Sequence, residues 1–266
     1  MKNFGIAKTL FRDSVTTSFY FDSMSAELAR KKVIDTLDAN HHSLLFLIGD
    51  AGVGKTHMLH VLHRSSSFFP HSILMPHAYF EWQELFLRLY TQKGVLFDET
   101  LTQALHVKQL TEIYQESLCT IFIDEAHLLG KKQCELLATL CHNKVFRCVL
   151  SVPCEAKQKM LEHPSFTSCS KASIVCGLLA KHELHRYLQS YLMVHSQGEI
   201  ALMFSAHDAK KIARYAKGNF RTIRHFLYTL FHLLEFSQNQ YLLEYTTLSN
   251  RLLMMTALEI GLICDR

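Results

Sequence analysis

Short apolar runs alternate with helical patterns along the first two thirds of the chain. Nearly continuous apolar runs occupy residues 43–48, 72–75, 119–123, 145–151 and, less distinctly, 172–176. Such runs are typical of strands that are buried on both faces of a parallel sheet. The stretches between them contain helical periodicity, clearest over residues 26–37. The alternation predicts right-handed βαβ crossovers and an α/β fold with about five parallel strands.

The last third of the chain has helical periodicity only. Amphipathic patterns cover residues 184–194, 206–216 and 222–236, and a weaker pattern over 242–266 predicts a further helix or two. Gly198 is predicted to mark the turn between the first two of these helices. We therefore expect an α/β domain over 1–178 and a helical domain over 179–266.

Composition narrows the class of protein. Of 266 residues, 48% are apolar and 20% are charged, which excludes an intrinsically disordered chain. Ten glycines and four prolines are few for this length, so long regular elements are favoured over a turn-rich β-sandwich. The net charge of +4 is too small to indicate nucleic acid or anionic lipid by itself.

The N-terminal sequence and the cysteines indicate the cellular compartment in which the protein is expected. The first residues lack the apolar stretch of a signal peptide, and no run approaches 18 apolar residues, so we expect a soluble, cytoplasmic protein. The eight cysteines include no C-x-x-C pair and are interpreted as buried, reduced thiols. Cys134, Cys141 and Cys148 recur every seven residues, which leaves a zinc site as a minor alternative.

A glycine-rich loop follows the first predicted strand. The segment matches G-x-x-x-x-G-K-[ST] at every fixed position and consists of Gly49, Asp50, Ala51, Gly52, Val53, Gly54, Lys55 and Thr56. Its glycines allow backbone N–H groups to surround phosphate oxygens, and the following helix adds its positive N-terminal dipole. Lys55 is expected to reach the β- and γ-phosphates of a nucleotide, and the Thr56 hydroxyl to bind Mg²⁺.

Polar residues at the ends of two later strands complete the predicted nucleotide site. Asp124 and Glu125 follow the run 119–123, so Asp124 is the expected partner of Mg²⁺ and Glu125 is expected to polarise the attacking water. Ser151 ends the run 145–151 and is the candidate for a polar sensor of the γ-phosphate. Asp124 to His127 spell DEAH, a helicase signature, but the chain is too short for a second RecA-like domain.

The helical part carries further basic residues. Gly218-Asn219-Phe220-Arg221 opens an amphipathic helix, and Arg221 is expected to stabilise γ-phosphate charge through its guanidinium group. Six basic residues and no acidic one occur between residues 210 and 224. Both a solvated helix face and a surface that contacts phosphates, of nucleotide or DNA, fit this run.

The order of these features resembles the AAA+ branch of P-loop ATPases, and within it the ExeA-like and transposition-ATPase (TniB, MuB) group. The resemblance covers roughly residues 11–236. The segments that carry it are residues 19–21, GDAGVGKT at 49–56, IFIDEAHLL at 121–129, LSVP at 150–153, LHRYL at 184–188 and GNFR at 218–221. It implies the strand order 5-1-4-3-2, ATP bound between the α/β domain and a helical lid, and Arg221 as the sensor 2 arginine.

One feature of the family is missing. Its members usually carry an arginine just before the fifth strand that enters a neighbouring subunit's site, whereas this chain offers only Lys171 there, with Arg147 as a distant substitute. Lysine lacks the planar fork of arginine, and an arginine finger contributes about 10³–10⁵ in rate. Slow ATP turnover is therefore expected.

The resemblance implies three alternative functions. The first is an ATPase that drives or regulates assembly of a secretion, pilus or DNA-uptake machine, at the inner membrane through a protein partner. The second is a DNA-binding accessory ATPase for transposition or replication loading. The third is a nucleotide-gated scaffold that does not hydrolyse ATP. ATP and Mg²⁺ are the expected cofactors, and a homo-oligomer is a further expectation.

Overall fold

The computed structural model describes residues 2–12 and 19–263. The strands are β1 (Leu44–Ile48), β2 (Ser72–Met75), β3 (Cys119–Ile123), β4 (Phe146–Val152) and β5 (Lys171–Val175). The helices are α1 (Phe4–Leu10), α2 (Met24–Asp38), α3 (Lys55–Arg64), α4 (Trp82–Gln92), α5 (Gln103–Ile113), α6 (Lys131–His142), α7 (Lys157–Leu161), α8 (Glu183–Val194), α9 (Gly198–Ala201), α10 (Ala206–Tyr215), α11 (Phe220–Asn239) and α12 (Asn250–Glu259).

Within the described residues, the five strands form one parallel sheet in the order β2-β3-β4-β1-β5. This is the predicted order 5-1-4-3-2 taken from the opposite edge, so the predicted fold class is confirmed. Every residue of β1, β3 and β4 is buried, which explains their continuous apolar runs. β5 lies at an edge and is half exposed, and for that reason its sequence pattern is the least distinct.

Contacts divide the described chain into two compact units. The α/β unit contains residues from Ala26 to Asp50 and from Gly54 to Cys176. The helical unit contains the described residues up to Ser25, the loop segment Ala51–Val53 and the described residues from Gly177 onwards. The predicted domains 1–178 and 179–266 stay a prediction.

The core of the α/β unit lies between the sheet and the helices that cover it. Phe46, Ile121 and Leu150 of the strands pack with Leu89 of α4 and Leu137 of α6, all at most 1% exposed. Burial of this apolar surface on a parallel sheet is the main stabilising contribution to such a unit.

The helical unit has a core of its own, rich in aromatic side chains. The ring of Phe11 lies 5.3 Å from that of Tyr191 in α8 and 5.6 Å from that of Phe231 in α11, measured between centroids. Arg224 Nη2 donates to the Leu10 carbonyl at 3.0 Å. These contacts connect the N-terminal helix α1 to the C-terminal helices, a long-range pairing that sequence periodicity did not indicate.

Two local predictions need correction or completion. Gly198 does not form the turn after α8, because the turn is made by Ser196, with φ +59°, and Gly198 is the first residue of α9. The weak pattern after residue 242 contains α12, and residues 264–266 lie outside the described residues.

The cysteines fit the prediction of free thiols over the part of the chain that the structure describes. Seven are free, and all but the exposed Cys154 are buried, while Cys264 lies outside the described residues. The same residues contain no group of three or more His, Cys, Asp or Glu side chains that could hold a metal ion.

Among the helices of residues 2–12 and 19–263, none combines the length and the apolar character required to cross a bilayer.

Replacing Leu137 by alanine is expected to lower the free energy of unfolding by about 2–5 kcal/mol, because it leaves a cavity between α6 and the sheet. The matched control is Leu96→Ala, since Leu96 is 93% exposed. Its expected change is within about 0.5 kcal/mol. Urea denaturation followed by circular dichroism measures both, and equal effects of the two substitutions would contradict this description of the core.

Candidate functional site

The glycine-rich loop connects β1 to α3. β1 ends at Ile48, and α3 begins at Lys55 with Gly54 at its N-cap. Gly52 and Gly54 have φ values of +83° and +100°, in a region of backbone conformation that residues with a Cβ rarely adopt. The two glycines are therefore required by the path of the loop between strand and helix.

Lys55 lies against the beginning of the same loop. Its Nζ donates to the carbonyl oxygens of Gly49 at 2.7 Å and Asp50 at 2.9 Å. Burial lowers the pKa of Lys55, while the negative charges that Cys176 and Asp124 can carry oppose this shift. A partly desolvated ammonium group at the mouth of the loop is a suitable partner for an anion.

Asp124 is the centre of a buried hydrogen-bond network. Its carboxylate accepts from the Thr56 hydroxyl at 2.6 Å, from the Ser151 hydroxyl at 2.5 Å and from the Glu125 backbone N–H at 3.0 Å. Asp124 is 5% exposed and Ser151 is 1% exposed. The three donors compensate for the removal of a carboxylate from water.

The order of the strands explains why these side chains meet. β4 lies between β3 and β1, with Leu150 opposite Ile123 and Ser151 opposite Leu47. Asp124 immediately follows Ile123, and the loop that leads to Thr56 immediately follows β1. In a parallel sheet the carboxyl ends of neighbouring strands meet at one edge, which is where ligands bind in such folds.

Glu125 occupies a strained position beside this network. Its backbone is left-handed, with φ +50°, and its side chain is exposed. A non-glycine residue in this conformation is uncommon, and such residues cluster at functional sites. The hydrogen bond from the Glu125 N–H to Asp124 helps to hold this conformation. The carboxyl groups of the two neighbouring residues consequently differ in environment, one buried and one in water.

The sequence analysis named Asn219 only as part of GNFR and did not place it at the glycine-rich loop. Its Nδ2 donates to the Ala51 carbonyl at 2.6 Å, and its Oδ1 accepts from the N–H groups of Arg221 and Thr222, the cap of α11. A Cβ at Gly52 would approach Asn219 Oδ1 to 2.4 Å. The signal in the sequence was an N-cap asparagine directly before an amphipathic helix.

Arg221 belongs to the same cluster as Asn219. Its backbone N–H also donates to the Gly52 carbonyl at 3.2 Å, and its side chain is exposed. Ala51, Gly52 and Val53 therefore share the helical unit with Arg221, whereas Lys55, Thr56, Asp124, Glu125 and Ser151 belong to the α/β unit.

The candidate substitutes for an arginine finger have other partners. The expectation that Arg147 could substitute for the finger is wrong, because its side chain is buried, with 7% exposed. Its guanidinium donates to Thr120 Oγ1 at 2.7 Å and to the Leu37 carbonyl at 2.8 Å. Lys171 is half-buried, and its Nζ donates to the Leu161 carbonyl at 2.5 Å. Both cations are thus bound to groups of their own unit.

Cys154 is a second residue that sequence reasoning did not place at the loop. It is exposed, follows β4, and forms a hydrogen bond with Asp50, which raises the pKa of its thiol. This contact adds a connection between the segment after β4 and the beginning of the glycine-rich loop.

Comparison with known proteins agrees with this architecture. Residues 38–160 match the family model described as an AAA domain. A search of curated protein sequences gave no match. The chain has the AAA+ P-loop fold, an α/β unit with a five-stranded parallel sheet and C-terminal helices.

Three solved structures illustrate the likeness. The Walker-type ATPase of Pyrococcus abyssi has 15% identity and a TM-score of 0.61, over 88% of this chain and 78% of that one. Cdc6p of Pyrobaculum aerophilum has 12% identity and a TM-score of 0.61, over 88% of this chain and 66% of Cdc6p. The Orc1 protein of Aeropyrum pernix, in complex with DNA, has 15% identity and a TM-score of 0.55, over 96% and 69%. At such identities the similarity establishes the fold alone.

Asn219→Asp is expected to separate the two roles of Asn219. Aspartate caps a helix as well as asparagine does, but it has no amide donor for the Ala51 carbonyl. We expect the cap of α11 to be retained, the free energy of unfolding to fall by about 1 kcal/mol and hydrogen exchange at the amides of Gly52 and Val53 to become about fivefold faster, since a net hydrogen bond contributes about 1 kcal/mol.

Asn219→Ala is the comparison variant, because it removes the cap as well. It should lower the free energy of unfolding by about a further 1 kcal/mol. Wild-type exchange rates at Gly52 and Val53 in Asn219→Asp would contradict the role of the amide.

Proposed function

We propose that the protein binds ATP with Mg²⁺ at the loop 49–56 and hydrolyses it slowly, as a nucleotide-dependent switch. The observation that carries the proposal is the network in which Thr56 and Ser151 share the buried carboxylate of Asp124, beside a loop that begins at Gly49 and ends at Lys55. Main-chain N–H groups, a lysine and a hydroxyl next to an acidic strand end together fit a nucleotide triphosphate.

The donor set also fits Mg²⁺. Thr56 Oγ1 and the Asp124 carboxylate are hard oxygen ligands, and Mg²⁺ is usually held by one or two such groups together with substrate phosphates and water. Thr56 and Asp124 would hold the ion, directly or through water, and the bound ion would neutralise charge on the phosphates. The same two residues bind each other in this structure, so they are already close enough to serve one ion.

Glu125 is the proposed base. Its exposed carboxylate is free to orient a water molecule, while the neighbouring Asp124 remains in the buried network.

Ser151 is proposed to sense the γ-phosphate by exchanging its hydrogen bond to Asp124, and Arg221 is proposed to contribute positive charge. Because Lys171 and Arg147 are bound within the α/β unit, neither is proposed as a finger, and slow turnover is expected.

Lys55→Ala is expected to abolish measurable ATP binding, because it removes the ammonium group that offsets triphosphate charge. Isothermal titration calorimetry with MgATP measures the affinity. The matched control is Lys131→Ala, since the Lys131 side chain is 84% exposed and should leave the Kd unchanged. Wild-type affinity in Lys55→Ala would refute the proposed site.

Glu125→Gln is expected to retain ATP and to reduce phosphate release at least about hundredfold, since a positioned base contributes about 10²–10⁴ in rate. Single-turnover phosphate release measures the effect, with Glu112→Gln, an exposed glutamate of α5, as control. Unchanged turnover in Glu125→Gln would contradict the proposal that Glu125 is the base. A wild-type protein that binds ATP and releases no phosphate would instead be a nucleotide-gated scaffold.

The biological role has two candidates. The first is an ATPase of the ExeA-like group that regulates assembly of a secretion, pilus or DNA-uptake machine in the cytoplasm, through a membrane-associated protein partner and as a homo-oligomer. The second is a DNA-binding accessory ATPase for transposition or replication loading. The exposed basic residues of the helical unit favour the second.

A further inference from the structure

Helix α10 has one apolar face and one basic face. Ala209, Ile212 and Ala213 are fully buried in the core of the helical unit. His207, Lys210 and Arg214 lie on the opposite face at i, i+3 and i+7, and all three are exposed. This outer face contains no exposed large apolar residue.

The run of six basic residues separates into three groups in the structure. Arg224 is half-buried and donates to the carbonyls of Leu10 and Arg12. Lys211 is bound to Asn250 Oδ1 of α12. The third group is exposed and consists of Lys210, Arg214, Lys217 and Arg221. We call the row Lys210, Arg214 and Lys217 the basic row.

No acidic group neutralises the basic row within the described part of the chain. None of its three residues takes part in the ion pairs found there. The acidic residue of α10 is Asp208, which forms the capping box with Ser205. It precedes Arg214 by more than one helical turn, too far for a direct ion pair along the helix. The row therefore presents an uncompensated positive charge to solvent.

The spacing of the row fits a series of regularly placed negative charges. Lys210 and Arg214 are one helical turn apart, about 6 Å along the axis, and Lys217 continues the series in the turn after α10. Protein interfaces generally need an apolar or aromatic centre and are depleted in charge there. A phosphodiester backbone needs neither, because it is bound through its charge.

We propose that the basic row binds the phosphate backbone of duplex DNA without reading its sequence. The contacts would be charge-assisted hydrogen bonds from the two lysines and the arginine to phosphate oxygens. This inference rests on the second candidate role above and assigns the surface that performs it.

The test is the salt dependence of DNA binding by the full chain, measured with and without MgATP. The probe is a fluorescent 20-base-pair duplex of random sequence, titrated at several salt concentrations. The test variant is K210Q/R214Q/K217Q, which keeps the length and polarity of the side chains. The matched control is K31Q/K32Q/K159Q, which removes three exposed lysines from the α/β unit.

We expect the basic-row variant to bind at least tenfold more weakly and to lose about 2–3 from the slope of log K against log salt, because each lost phosphate contact reduces that slope by about 1. The control should retain at least half of the wild-type affinity. Circular dichroism and MgATP titration confirm that both variants are folded.

Other outcomes overturn the inference in distinguishable ways. Wild-type protein that binds no DNA refutes both the basic row and the DNA-associated role, and leaves the proposed ATP site intact if MgATP still binds. Equal losses in the two variants indicate a general charge effect. Unchanged binding of the basic-row variant places the DNA contact elsewhere. In the latter two cases the DNA-associated role stands and the assigned surface is wrong.

Discussion

A buried carboxylate at the edge of the sheet imposes the main constraint on this molecule. Asp124 is almost fully buried and requires several donors, which come from the helix after β1, from β4 and from its own neighbour. A strand order that separated β3 from β4, or β4 from β1, would leave that charge uncompensated at high cost. The same arrangement places a hydroxyl, an acid and a lysine where a metal-bound triphosphate is proposed to bind.

The glycine-rich loop satisfies a second constraint at its tip. Ala51 and Gly52 direct their carbonyls to Asn219 and to the N–H of Arg221. Both carbonyl oxygens therefore already accept hydrogen bonds from the N-terminal end of α11. Gly52 has to be glycine for two reasons, its positive φ and the short distance that a Cβ would have to Asn219. One residue position thus serves both the fold of the loop and its contact with α11.

Arginines and lysines serve two different purposes in this chain. Arg147 and Arg224 are largely removed from water, and each donates to main-chain carbonyls and lies over an aromatic ring. A guanidinium group can do so because its planar fork presents donors to more than one fixed acceptor, although the Nε of Arg224 has no hydrogen-bond partner among the described residues. Lys210 and Arg214 remain in water with no such acceptor in residues 2–12 and 19–263, and for that reason they, and not the buried arginines, are available to a partner.

The sequence by itself determined the strands, the glycine-rich loop and the acidic strand end. A strand buried on both faces has to be a continuous apolar run, and left-handed turns select glycine. Only the tertiary structure decided which basic residues are internal, and that Asn219 binds a loop 168 positions away. Arg147 and Leu37 are likewise 110 positions apart. Periodicity reports the neighbours of a residue along the chain, whereas such partners are set by how distant segments pack.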